Sequence, residues 1–231
     1  MAQSLHLVHL VRTISLVGIL LFGGVVMAES GKVEHSMRVV LVGASIGKDW
    51  HFERIGERVA LPGYRFDYVG VYSFDKGPLI QKLVTDPDKP DIVLIKECAT
   101  YFPGDTKQYQ RQFMSWVDTL RAVGIQVVLV TTAPVAEPTE YIPRAKIFVK
   151  RLIGKPTQLD SIVQFNTWLK QYTQREHIPV FDLAAQLQRS DSERWLRSEY
   201  DIGDKLHLNE SAYHILDATF AKFFTGWKKG S

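Results

Sequence analysis

Short apolar runs alternate along this chain with longer stretches whose apolar residues recur at helical spacing. The runs Arg38–Val42, Phe66–Gly70, Asp91–Ile95, Gln126–Thr131 and Pro179–Phe181 predict strands. At least three of them are β-branched or apolar at nearly every position, the pattern of strands covered on both faces. Between them, Thr106–Val123 places Tyr109, Phe113, Trp116, Val117, Leu120 and Val123 on one helical stripe, and Gly124 stands where a helix-terminating glycine belongs. Thr157-Gln-Leu-Asp160 predicts a capping box opening a helix that runs to about Gln174. A last helix is expected over Glu210–Phe224, with Asn209 as N-cap and Ala212, Ile215, Leu216, Thr219, Phe220 and Phe223 buried. Strands alternating with helices predict a single α/β sandwich around a parallel sheet. In such sheets reactive groups belong at the carboxyl ends of the strands.

The N-terminus follows a different pattern. Residues 1–28 carry Arg12 as their only formal charge, and Thr13–Val26 is an almost unbroken apolar run ending in Val26-Met27-Ala28. A charged start, an apolar middle and small residues at the end describe an export signal. The run is shorter than the roughly 20 residues of a membrane span. We therefore expect residues 1–28 to be a cleaved signal peptide, residues 29–231 to be one domain, and the mature protein to be periplasmic or secreted, without a stable membrane span.

Composition narrows the function further. Of 231 residues, 45% are hydrophobic and 23% charged, and the formal net charge is +3. That balance gives nucleic-acid binding no electrostatic support. A single cysteine, Cys98, excludes an intrachain disulfide framework and a cysteine-rich zinc site. No phosphate-binding loop or H-E-x-x-H motif is present, so neither a cofactor nor a metal is expected.

Candidate chemistry lies at the two ends of the domain. Gly43-Ala44-Ser45-Ile46-Gly47 follows the first strand, where small neighbours expose a serine hydroxyl at a strand-to-helix turn. The string also fits an ordinary glycine-rich turn whose serine caps a helix. Asp204-Lys205-Leu206-His207 precedes the final helix. An aspartate three residues before a histidine can reach imidazole Nδ1, fix the tautomer and leave Nε2 to accept a proton. A C-terminal helix packed beside the first strand would bring His207 to Ser45.

A glycine-flanked serine after the first strand, with Asp-x-x-His-Leu-Asn before the last helix, resembles the SGNH (GDSL-type) hydrolases. The resemblance spans about Met37 to Phe224 and takes in Thr131-Thr-Ala-Pro134 and Ile178-Pro-Val-Phe-Asp182. It implies a three-layer, flavodoxin-like α/β/α sandwich with a five-stranded parallel sheet, and hydrolysis or transfer of acyl groups. By that similarity Ser45 is the nucleophile, His207 the general base and Asp204 its orienting partner. The substrate would be a small-molecule or glycan ester.

Two blocks depart from the family pattern. Where the family places a glycine after the second strand, the chain reads Val71-Tyr-Ser-Phe-Asp-Lys76, with Phe74 at the glycine position. Where the family has G-x-N after the third strand, it reads Cys98-Ala99-Thr100. Oxyanion support then falls to the backbone N–H of Phe74 and the hydroxyl of Thr100. Loss of one oxyanion donor costs about 10²–10³ in kcat. Glu97 is expected at an ion-paired strand end, and Cys98 as a small buried hydrophobe. His51, His177 and His214 are expected at the surface or in structural roles.

The connection from Val135 to Pro156 holds Arg144, Lys146, Lys150, Arg151 and Lys155 against Glu137 and Glu140. Ile147, Phe148, Leu152 and Ile153 predict either a short amphipathic helix over the site, suited to an anionic or glycan ligand, or a solvated basic loop. Trp195 and Tyr200 either stack on a sugar or pack the loop before the Asp–His turn. Three functions remain open at this level: an esterase, an acyltransferase of the same fold, and a non-catalytic binding protein that retains the fold.

Overall fold

The computed structural model describes residues 36–229. The expected export signal lies outside them. Five strands, β1 (Met37–Gly43), β2 (Tyr64–Gly70), β3 (Ile92–Lys96), β4 (Gln126–Val130) and β5 (Val180–Phe181), form one parallel sheet in the order β2-β1-β3-β4-β5. This is the flavodoxin-like order, whose chain reversal at β1/β3 opens a crevice at the carboxyl ends of those strands.

The helices are α1 (Ser45–Asp49), α2 (Ile55–Arg58), α3 (Gly77–Thr85), α4 (Thr106–Ala122), α5 (Tyr141–Leu152), α6 (Gln158–Arg175), α7 (Leu183–Leu187) and α8 (Glu210–Lys229). Strand side chains alternate between two cores. Val39, Leu41, Ile92 and Leu94 pack with Trp50, Phe52, Leu216 and Phe220 of the α1 and α8 side. Val40, Val42, Val93 and Ile95 pack with Ile80, Phe113, Leu120 and Phe165 of the α3, α4 and α6 side. The sheet is therefore the middle of three layers, as expected. The Thr157–Asp160 capping box opens α6 with both reciprocal bonds in place.

Helix α8 corrects one expected face. Ile215 is 39% exposed, whereas Asp217 is buried. Asp217 takes that place because it has partners: its carboxylate accepts from Trp50 Nε1 at 2.8 Å, Arg58 Nε at 2.7 Å and Arg58 Nη2 at 2.9 Å. A buried carboxylate is tolerated when it is paired and hydrogen-bonded in this way. The network ties α8 to the segment just after α1, on the side of the sheet that carries Ser45.

Candidate active site

Ser45 is the first residue of α1, immediately beyond the carboxyl end of β1, and is half-buried. The turn before it is held from two directions. The Ala44 carbonyl accepts the Gly47 amide at 2.9 Å and the Tyr68 hydroxyl at 2.9 Å. Burial raises the pKa of the Tyr68 hydroxyl, so it remains a donor. The ring of Tyr68 lies so close to the turn that a Cβ on Gly47 would come within 2.7 Å of its Cε2. The glycine after the serine thus makes room for a tyrosine from β2.

At the other end, Asp201 and Leu208 form an isolated bridge, and the Asn209 amide donates to the Tyr200 carbonyl at 2.9 Å. Asn209 Oδ1 accepts the Ala212 amide at 3.2 Å, the expected cap of α8. Within this pinned loop, Asp204 Oδ1 accepts the amides of Leu206 (2.9 Å) and His207 (2.8 Å), while Oδ2 lies 2.5 Å from His207 Nδ1. Desolvation would raise the Asp204 pKa; the bonds from His207 and Leu206 outweigh it and hold the value down to about 2. An ionised carboxylate can only accept, so His207 Nδ1 carries the proton that points at Asp204 Oδ2. His207 Nε2 lies 3.0 Å from Ser45 Oγ, across 162 positions of sequence. Ser45, His207 and Asp204 are therefore brought together in one hydrogen-bonded chain.

Phe74 and Thr100 are placed differently from each other. The Phe74 ring is buried, stacked on Tyr109 with centroids 3.5 Å apart and edge-on to Tyr101. Its backbone turn is secured from below by Lys76, whose Nζ donates to the carbonyls of Ser73 (3.2 Å) and Phe74 (3.5 Å). Thr100 is exposed, and its hydroxyl donates to Cys98 Sγ at 3.1 Å. Nothing in that contact directs it toward Ser45. Cys98 itself is buried, as expected.

Glu97 has an ion-pair partner, but the pair is interior. Its Oε1 lies 2.5 Å from Lys76 Nζ, and both side chains are wholly buried. The partner is Lys76 from the turn after β2. Neighbouring Lys96 instead donates to the Glu97 backbone carbonyl at 3.0 Å. Glu97 Oε2 has no hydrogen-bond partner. Burial raises the Glu97 carboxyl to about 7 and lowers both lysines, Lys96 to about 8. Lys96 sits beside Gly43 on the neighbouring strand; a Cβ on Gly43 would lie 3.8 Å from that of Lys96. Two buried lysines and one buried carboxyl therefore lie behind the turns that flank Ser45. Sequence reasoning did not find this cluster, because a Lys-Glu pair at a strand end normally reads as surface.

The remaining candidates are peripheral. His51, His177 and His214 are exposed; His51 stands 3.5 Å from Glu53 and His214 3.5 Å from Glu210. Tyr200 is buried beneath Arg197, whose guanidinium lies 5.6 Å from its ring centroid, so it packs the loop. Trp195 lines a cavity of about 680 Å³ beside α5, together with Pro138, Ile147 and Phe148. The connection Val135–Pro156 does form a helix, α5, and the Glu140 carboxylate before it pairs with Lys205, next to Asp204.

No protein-family model matches the chain, and no curated protein matches it. Solved structures do. A GDSL-like lipase from Bacteroides thetaiotaomicron superposes with a TM-score of 0.60 at 19% identity, covering 82% of this chain and 88% of that one. Axe2, an acetylxylan esterase from Geobacillus stearothermophilus, superposes with a TM-score of 0.56 at 14% identity, covering 81% and 93%.

Proposed function

From its SGNH-hydrolase fold and the relay at its switch-point crevice, we propose that the chain is an exported serine esterase. It would cleave an acyl ester through an acyl-enzyme on Ser45. The observation that carries the proposal is the unbroken path from Asp204 Oδ2 to His207 Nδ1 at 2.5 Å and from Nε2 to Ser45 Oγ at 3.0 Å. A binding protein that had merely kept the fold would have no use for a half-buried serine aligned with a base and its orienting carboxylate.

In the first step His207 Nε2 takes the Ser45 proton as Oγ attacks the ester carbonyl carbon. Asp204 stabilises the imidazolium that forms, and His207 returns the proton to the departing alkoxide. Water then attacks the acyl-enzyme with His207 again as base, releasing the acid and restoring the hydroxyl. The negative charge on the tetrahedral oxygen is met by the backbone N–H groups of Ser45 and Phe74. Esterified carbohydrate is the substrate class we favour, since the comparable structures include an acetylxylan esterase.

The test is turnover of p-nitrophenyl acetate and of acetylated oligosaccharides by the native protein and by Ser45→Ala, with and without a free sugar acceptor. Acid release abolished in Ser45→Ala is expected. Acylated acceptor in place of free acid would make the protein a transferase, and an inert native protein would leave only the binding function.

A further inference from the structure

Helix α5 exposes its apolar face. At 100° per residue, Phe148, Tyr141, Leu152, Ala145, Val149 and Ile142 fall on one arc about 120° wide. Tyr141 is 86% exposed, Leu152 75% and Phe148 68%. Pro143 and Ile147, on the opposite side of the helix, are half-buried against the domain, and within the arc only the small Ala145 is half-buried. The helix is thus turned with most of its apolar arc toward solvent, while Tyr141, Ala145 and Phe148 also form one wall of the open cavity at Trp195. Contiguous exposed apolar surface of this kind marks an interaction site.

The charges around the arc say what it meets. Arg144 and Arg151 border one edge, and Lys146 and Lys150 the other. Residues 141–155 contain five cations and no acid, and of the five Arg151 is shared with Asp160. Nearby carboxylates are already engaged: Glu140 with Lys205, Glu137 with Arg189, and Asp160 with Arg151. An apolar stripe between two basic edges matches an anionic lipid surface, acyl chains meeting the stripe and headgroup phosphates the cations. A polyanionic chain would satisfy the cations and leave the stripe against water. A second copy placed face to face would set cation against cation.

We propose that α5 docks the domain on an anionic bilayer, lying in its interface. Twelve residues make a helix about 18 Å long, well short of the roughly 30 Å hydrocarbon core, so the helix lies on the surface. The Glu140–Lys205 ion pair joins its N-terminal end to the residue beside Asp204. Docking therefore holds the Ser45 crevice near the lipid surface. The inference stands on α5 alone and holds whether or not Ser45 is a nucleophile.

The test places a polarity-sensitive fluorophore on α5 through Phe148→Cys; the native Cys98 is buried and stays unlabelled. A label on α5 reports this helix separately from any attachment through residues 13–26 of the full chain. Vesicles containing about one-third phosphatidylglycerol should shift the emission to the blue, and pure phosphatidylcholine vesicles should not. At about fivefold per cation, Lys146→Glu with Lys150→Glu should weaken the response at least tenfold. A label that stays water-exposed while the chain sediments with anionic vesicles overturns the proposal. So does an equal response to neutral vesicles, or a shift that follows protein concentration without lipid, which would assign the face to a second copy.

Discussion

Replacing Lys76 with methionine isolates the physics of the buried charge cluster behind Ser45. Both members of the Lys76–Glu97 pair have no exposed side-chain surface, so solvent screening offers no relief. Removing one partner of a buried pair costs about 3–5 kcal/mol. Glu97 can escape by binding a proton, which sets a ceiling. Keeping a carboxyl of ordinary pKa 4.5 protonated at pH 8 costs about 4.8 kcal/mol at 1.36 kcal/mol per unit. The native protein, with Glu97 raised to about 7, already bears about 3.4 kcal/mol of that at pH 8. The variant therefore adds about 1.4 kcal/mol, plus about 1–2 kcal/mol for the lost ammonium bonds. At about 2–4 °C per kcal/mol this predicts a Tm lowered by roughly 5–14 °C at pH 8.

The pH dependence supplies a sharper signature. Glu97 is raised to about 7 in the native protein, so the folded state binds the extra proton. Its stabilising effect is complete below pH 4.5 and is lost as pH rises through about 7. Below that value the native protein and Lys76→Met both hold Glu97 neutral. Their difference then shrinks toward the lost ammonium bonds to Ser73 and Phe74, about 1–2 kcal/mol. Thermal melts of the native protein, Lys76→Met and the double variant Lys76→Met/Glu97→Leu at pH 5.5 and 8 decide the matter. The double variant should recover most of the loss, since replacing a whole buried pair by apolar groups is often neutral. A single variant as stable as the native protein at pH 8, or a double variant no better than the single, would refute the reasoning.

Asp204→Asn should leave the fold intact and lower kcat for an ester by about 10⁴, because the amide permits the wrong imidazole tautomer; a drop below tenfold would remove Asp204 from the relay. Gly47→Ala forces a methyl within 2.7 Å of the Tyr68 ring and should cost about 1–3 kcal/mol in urea unfolding. Adding Tyr68→Val should restore stability, and failure to do so would show that the clash lies elsewhere. Asp217→Ala strips the acceptor from Trp50 Nε1 and from a partly exposed Arg58, and should cost about 2–3 kcal/mol. Asp217→Asn, which keeps one acceptor, should lose about half as much; equal losses would contradict the assigned bonds.

The fold was largely legible because its signals are local. β-branched runs such as Val39–Val42 and Ile92–Ile95 announce strands buried on both faces, and Thr157–Asp160 announces its own helix start. The juxtaposition of Ser45, His207 and Asp204 was legible for another reason: Asp204 and His207 sit on one turn, and the topology carries that turn to the end of β1. Long-range electrostatics were not legible. Lys76 and Glu97 lie 21 positions apart, and charged letters at strand ends normally mean water. Asp217 was missed on the same ground, as its burial depends on Trp50 and Arg58 far along the chain. The exposed arc of α5 was the opposite case. Its amphipathic spacing was visible, but spacing alone predicts that the apolar side faces inward.

The central claim is that Ser45 is an activated nucleophile, and covalent labelling tests it most directly. The protein is treated with a fluorophosphonate and digested, and the modified peptide is located by mass spectrometry. The account predicts one adduct, on Ser45, with labelling abolished in Ser45→Ala and sharply slowed in His207→Ala. An unlabelled native protein, or labelling that persists in Ser45→Ala, would contradict it.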